Sequence, residues 1–424
     1  ARLVQQMGRG VVVVATAPER IRNRDAHYLY RYDSYFYYLT GFMEPEAVLV
    51  AIAGAQPKCI LSWRERDAER AIWDGFRYGV EQARTKFGFD ESHPIAELDA
   101  LMPKLLADQP ELHCHLGDDP GWDERVLGWL KAVRAQARNG VAAPAAVRDV
   151  HALLDDMRLT KDVHELAAMR RAAQISTGAH RRAMRAARPG RAEFEIEAEL
   201  LHEFRRHGAQ APAYTPIVAG GANACVLHYV QNDAPLKAGE LLLIDAGCEV
   251  DGYASDITRT FPVSGVFSAV QRDVYQLVLA AQAAAIAAVR PGTAWNVPHD
   301  TAVRVLAQGL IDFGLCLGSV DKVIENGDYK RFYMHRTGHW LGLDVHDAGD
   351  YKRGELWRTL EPGMVLTVEP GCYIRPGDGV APRFENIGIR IEDDVLVTAG
   401  GNEVLTQAAP TSVADIEALM RSGG

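Results

Sequence analysis

Three apolar runs in the second half of this chain each lead straight into a carboxylate: LLLI into Asp245, MVLTV into Glu369 and IGIRI into Glu392. Short runs rich in β-branched residues and bounded by Gly, Pro or Asp are strand patterns, so the chain must build sheets whose ends carry acid groups. A fourth carboxylate, Asp256, lies in GYASDITRTFP, and Gly252 ahead of it permits a hairpin that returns Asp256 towards Asp245. His339 stands in HRTGHWLGLDVHD. Four carboxylates gathered in one cleft repel one another and resist burial unless cations neutralise them. A set rich in oxygen, with one imidazole and no thiolate, suits Mn²⁺, Co²⁺, Fe²⁺ or Zn²⁺ in a hydrolytic pair more than a structural zinc.

Each residue alone has a plainer reading. An Asp before Gly is usually a turn residue, and a Glu before Pro usually ends a strand; the argument rests on the five together. His335 and His339 form an HxxxH pair that on a helix would indicate zinc. Gly338 interrupts that helix, and Trp340, Leu341, Leu343 and Val345 read as a loop entering a strand. On a regular strand His339 and His346 point to opposite faces, so both reach one cleft only if Gly342 turns the backbone between them.

The chain exceeds the ~250 to 300 residues at which a single core stops growing, so two domains are expected. From 10 to 144, short β pieces at 11–15 and 47–52 alternate with a helical pattern at 124–138, which is an α/β domain without a cluster of metal-ligand types. GVAAPAA at 140–146 marks the boundary, giving domains 1–150 and 151–424. The second opens with helical patterns at 161–187, stopped by Pro189-Gly190, and at 193–207; further helices are expected at 268–289 and 297–313. The class is α+β, with helices packed on a curved, mostly antiparallel sheet. No apolar run approaches the ~20 residues of a membrane span, and a net charge of -10 without a Lys/Arg block excludes nucleic acid as a partner. Six scattered cysteines without a CxxC pair, and an N-terminus lacking a secretory pattern, lead us to expect a cytoplasmic protein.

The stretches LIDAGCEVDGYASDITRTFPVSG, HWLGLDVHD, LEPGMVLTVEPGCY and IGIRIEDD, in this order, resemble the creatinase/methionine-aminopeptidase-like metallopeptidases, and within them the aminopeptidase P group of Xaa-Pro aminopeptidases. YLYRYDSYFYYLTGFMEPEAVLV is similar to that group's first domain, so the resemblance spans nearly the whole chain. It implies a pita-bread catalytic domain behind a smaller N-terminal one. It makes Asp245, Asp256, His339, Glu369 and Glu392 the ligands of two metal ions, with Asp256 and Glu392 bridging. It also implies supporting roles for His228 and His346, a proline pocket shaped by His335 and Tyr373, and Arg390 beside Glu392. Asp25, Trp73 and Arg138 match first-domain positions that help form the substrate site, in some members from a neighbouring subunit of a dimer or tetramer. Arg336-Thr337-Gly338 and Arg383-Phe384-Glu385-Asn386 depart from the usual runs at those places, which bears on pocket shape and substrate preference.

The activity implied is hydrolysis of the N-terminal Xaa-Pro bond of peptides with proline in second position. Two ions ~3.5 Å apart make a hydroxide available near neutral pH, and that hydroxide is the expected nucleophile. Glu369 relays its proton, and His346 with His228 stabilises the oxyanion. Prolidase, an Xaa-Pro dipeptidase with the same site, is the alternative; the ligand spacings resemble the aminopeptidases more. A binding module that has lost its chemistry is disfavoured because all five ligands are present.

Overall fold

A computed structural model describes residues 2–377 and 379–422. The chain forms two compact units, Ala1–Met157 and Arg158–Gly424, divided inside the helix His151–Leu159, just past the small-residue tract 140–146.

In the first unit the run GVVVVA forms strand β1 (Gly10–Ala15). It pairs antiparallel with β2 (Val48–Ala53), which pairs with β3 (Lys58–Trp63); β4 (Glu91–Pro94) follows β3 in parallel. On its other side β1 runs parallel to β5 (Glu111–His113), and β5 to β6 (Ala146–Arg148), so the six strands are ordered β4-β3-β2-β1-β5-β6. β1 is apolar without alternation because both faces are covered. Val12 and Val14 pack with Phe36, Leu61 and Trp63 on the side of helix α1 (Ser34–Thr40), whereas Val11 and Val13 meet Met102, Val126 and Trp129 of α2 (Leu98–Leu106) and α3 (Pro120–Arg134). α3 starts four residues ahead of the helical periodicity, since Asp119 caps its first turn and Pro120 is preset for it.

The second unit opens on α4 (Val163–Ala186), where Asp162 accepts from the backbone of His164 and Glu165 while the Glu165 carboxylate accepts from that of Asp162. α5 (Glu193–Arg206) packs on α4, and α6 (Ala269–Ala288) on α7 (Val297–Asp312). Every named ladder in this unit is antiparallel. β7 (Ile217–Gly220), β8 (Leu241–Asp245) and β11 (Thr258–Pro262) form one sheet, with Asp245 opposite Thr258. Between β8 and β11 lies the hairpin β9 (Cys248–Val250) and β10 (Tyr253–Ala254), whose turn residues Asp251 and Gly252 have φ of 50° and 80°. Two positive φ values define the turn whose twist matches that of the strands, and Asp-Gly is a preferred pair for it. β12 (Val365–Val368), β15 (Asp393–Thr398) and β16 (Gly401–Val404) form a second sheet, and β13 (Gly371–Ile374) pairs with β14 (Ile387–Arg390). Leu200, Phe204, Val274, Val278, Leu306, Leu366 and Ile389 meet in one core between helices and ladders.

Residues 340–347 do not form the expected strand. Only Trp340 makes a bridge, to Leu366 of β12, and the chain then curls so that Asp347 N donates to Trp340 O at 2.9 Å. Gly342 permits this by close approach: a Cβ there would stand 2.1 Å from Asp347 Oδ2. The alternating apolar residues serve burial in the curl, not a ladder.

Candidate metal centre

All five expected ligands belong to the second unit, each at or beside a strand end. Asp245 closes β8, Asp256 precedes β11, Glu369 follows β12 and Glu392 follows β14. His339 is set by the edge of β12: Thr367 N donates to His339 O at 2.9 Å, and His339 N donates to Thr367 Oγ1 at 3.1 Å. The β9–β10 hairpin brings the first two carboxylates to one place, as the Tyr214 hydroxyl lies 2.6 Å from Asp245 Oδ1 and 2.5 Å from Asp256 Oδ1. His339 Nε2 is 3.4 Å from Asp256 Oδ2 and 3.7 Å from Glu369 Oε1. One donor atom each from Asp256, His339 and Glu392 fall within 4.8 Å of one another.

Buried this close together, the acid groups are costly to ionise at once. Burial, followed by the neighbouring carboxylates, pushes Glu369 up to about 7 and Glu392 well above the usual range. Burial also raises Asp245, against the pull of Arg390. Asp256 goes the other way: burial opposes its ionisation, but the hydrogen bond and charge of His339 hold it below the ordinary value. His339 is held up at about 9, burial being outweighed first by Asp256 and then by Glu369. The Tyr214 phenol has one proton to offer two carboxylate oxygens, so without a cation a further proton must be shared there. An oxygen-rich set with one imidazole nitrogen and no sulfur, buried and short of positive charge, fits divalent ions.

The five line a cavity of about 640 Å³ together with His228, His335, Arg336, His346 and Arg390, and with the apolar side chains of Ile217, Leu227, Val230 and Val345. Arg390 donates to Asp245 Oδ2 at 2.6 Å, to the Tyr373 hydroxyl at 2.9 Å and to Thr258 Oγ1 at 3.1 Å. Tyr373 is fully buried and its hydroxyl also meets His335 Nε2 at 2.8 Å. Burial, then Arg390, pushes His335 down to about 3, so that ring is neutral. The His346 ring stands edge-on to His339, with centroids 4.3 Å apart; desolvation and the His339 charge lower its pKa.

Asp25, Trp73 and Arg138 belong to the first unit and are not among the residues lining this cavity. Asp25 sits in the turn between Ile21–Asn23 and Ala26–His27, Trp73 is 80% exposed on the helix Arg70–Asp74, and Arg138 is exposed in the short helix Ala137–Asn139. His115, Asp149 and His151 of the same unit also cluster. The two imidazole rings are stacked 3.8 Å apart at 13°, and His115 lies between Asp149 Oδ1 at 3.2 Å and Asp118 Oδ2 at 2.8 Å.

Sequence reasoning missed Tyr214, Thr258 and Asp394. Thr258 donates to Glu392 Oε2 at 2.6 Å, and its spacing of two from Asp256 at the start of a strand was the available signal. Asp394 accepts from Asp256 N at 3.1 Å and Asp393 pairs with the buried Arg259 at 2.7 Å, so of three successive acids Glu392 alone enters the cavity. Tyr214 lies in a loop with no pattern to mark it.

Residues 167–399 match metallopeptidase family M24, and residues 1–114 match the aminopeptidase P N-terminal domain. An Xaa-Pro aminopeptidase of Haemophilus influenzae is 45% identical over 95% of this chain and 91% of its own. The structure of Pseudomonas aeruginosa aminopeptidase PepP superposes with a TM-score of 0.98 at 50% identity, covering 100% of this chain and 96% of that one. A zinc-substituted Escherichia coli aminopeptidase P in complex with product gives 0.97 at 43% identity, covering 100% and 97%. With a pita-bread domain that carries this cavity and an aminopeptidase P N-terminal domain ahead of it, the chain belongs to metallopeptidase family M24.

Proposed function

We propose that this chain hydrolyses the N-terminal Xaa-Pro bond of peptides, and that Asp245, Asp256, His339, Glu369 and Glu392 would hold two divalent ions, Mn²⁺ first among them. The carrying observation is that these five side chains meet in one buried, electron-rich cavity in a chain whose relatives are named for that reaction. Divalent ions bound there supply a water that ionises near neutral pH and polarise the scissile carbonyl.

The rest is done by the chain's own groups. A proline imide has no N–H and a fixed φ, so it must be gripped by shape. Ile217, Leu227, Val230 and Val345 offer apolar walls, and His335 is locked in its neutral form against Tyr373 and Arg390. Glu369, which lines the cavity beside Pro370-Gly371, would take a proton from the attacking water and pass it to the leaving proline nitrogen. Neutral His346, with His228, donates to the oxygen on which negative charge develops. Asp25, Trp73 and Arg138, which the resemblance to the aminopeptidase P group assigns to substrate binding, are exposed in the first unit. The six unpaired cysteines support a reducing, cytoplasmic setting.

The test compares turnover of Xaa-Pro-Xaa tripeptides, Xaa-Pro dipeptides and Xaa-Ala-Xaa tripeptides after reconstitution with Mn²⁺, with elemental analysis alongside. Cleavage of the first in preference to the third, at two ions per chain, is expected. Turnover confined to dipeptides would establish a prolidase instead, and full activity with one ion or fewer would end the two-ion reading.

A further inference from the structure

Of the arginines near the cavity, Arg336 alone is exposed and lines it without a hydrogen-bonded or ionic partner for its guanidinium among the described residues. Arg390 is buried and held by Asp245. Arg375 donates to Cys225 O at 3.1 Å and Arg383 lies over Phe384; neither lines the cavity. The Arg336 guanidinium instead lies 5.6 Å from the centre of the Trp357 ring, and Lys352 Nζ lies 4.2 Å from the same ring. Lys352 and Trp357 face each other across the hairpin formed by Lys352–Arg353 and Leu356–Trp357. At its base, Arg336 O accepts from His335 Nδ1 at 2.7 Å, which ties this residue to the wall of the proposed proline pocket.

The cavity is therefore polarised. Its lining carries four carboxylates and, beside them, a guanidinium with no hydrogen-bonded or ionic partner among the described residues, set near an aromatic face and a second cation. A peptide whose ammonium group is drawn to the carboxylates leaves Arg336 as the cation available to its own carboxylate. An indole beneath a guanidinium restricts its rotamers and leaves the planar N–H fork free for a carboxylate.

We propose that Arg336, seated on Trp357 and assisted by Lys352, is an anion subsite that binds a carboxylate downstream of the proline, from the peptide's C-terminus or from an acidic side chain. This deepens the reading above and rests on it for the direction of the peptide. The subsite makes the chain favour short peptides with a free carboxyl end, or an acid after proline, over neutral ones.

The test compares kcat/KM for Ala-Pro-Ala, Ala-Pro-Ala amide and Ala-Pro-Glu amide at low ionic strength in wild type, Arg336→Leu and Arg336→Lys. We expect wild type to favour a carboxylate-bearing substrate over the neutral amide by about 5-fold, fading as salt is raised. Arg336→Leu should bring that ratio to about 1 and Arg336→Lys should keep part of it. Which carboxylate peptide carries the preference identifies the source. Calorimetric binding of the product-like dipeptide Pro-Ala, as acid and as amide, reads the subsite without turnover. Equal binding of acid and amide by wild type, or a ratio that Arg336→Leu leaves unaltered, overturns the proposal even if the peptides are cleaved. An acid preference in binding that Arg336→Leu abolishes upholds the subsite, and if no proline peptide is then turned over it is the functional reading that falls.

Discussion

Asp347, next to His346, offers the sharpest test of how the fold holds the cavity together. Its Oδ2 lies 2.8 Å from Lys161 Nζ and its Oδ1 lies 2.6 Å from Arg158 Nη2, with all three side chains 1% exposed. Asp347→Ala removes the carboxylate that pairs with Lys161. Arg158 keeps Asp344, which is 46% exposed, at 2.7 Å, but among the described residues Lys161 Nζ retains only the carbonyl of Leu159 at 3.4 Å. Removing one partner of a buried ion pair costs ~3 to 5 kcal/mol, and the stranded lysine puts this site within that range. The curl at 340–347 loosens as well, because Asp347 Oδ1 accepts from Asp344 N, so kcat should fall ~10- to 100-fold through misplacement of His346. Replacing the group with well-packed apolar side chains, Asp347→Leu with Lys161→Met, should recover part of the stability and little of the rate. Burial opposes ionisation of Asp347, yet the charges of Lys161 and Arg158 hold its pKa below the ordinary carboxylate range. A depressed pKa stabilises the fold above the unfolded value and loses that contribution as pH falls through the folded one, so the difference between wild type and Asp347→Ala should shrink in acid. Urea denaturation of the metal-free protein, with hydrogen exchange across 340–347, measures both effects. A loss below ~1 kcal/mol at neutral pH would refute the argument that the change strands the buried lysine.

Four further outcomes follow from the same geometry. Glu369→Gln should keep the shape of the site and bind metal while lowering kcat ~100-fold or more; metal retention with near wild-type turnover would show that Glu369 is no proton carrier. His346→Ala should lower kcat by ~100-fold with metal content and KM little changed, the pattern of an interaction made in the transition state, whereas a raised KM alone would make His346 a ground-state contact. Tyr214→Phe removes the hydroxyl shared by Asp245 and Asp256 and should weaken divalent-ion affinity ~10- to 100-fold in a chelator competition; unchanged affinity would deny Tyr214 that role. Glu369, raised to about 7, contributes stability to the metal-free protein that is full below its unfolded pKa and lost as pH rises through 7. Melting of chelator-treated protein should therefore fall between pH 5 and 8 and recover on adding Mn²⁺, and a flat profile would count against the charge-starved cleft.

Much of the molecule was legible because its signals are local. The alternative of helix or strand follows from the period of the apolar residues, so α4 to α7, β1 and the strands ending at Asp245, Glu369 and Glu392 could be read off. Asp251-Gly252 prescribes its own turn, and the five candidate ligands stand out together by chemistry, since four carboxylates in one cleft call for cations to neutralise them. What only the tertiary structure decided is where side chains from distant segments converge and which way they point. Residues 340–347 have the alternation of a strand, but Arg158 and Lys161 supply buried charge for Asp347 and pull the segment into a curl. Glu392, Asp393 and Asp394 are alike in sequence; the first faces the cavity, while Arg259 and the backbone of Asp256 claim the other two. Tyr214 carries no pattern at all, and Arg336 is marked only as a departure from the usual run before His339. One reaches two carboxylates and the other finds an indole to rest on, because a side chain's partners are set by packing among segments far apart along the chain, which no local period encodes.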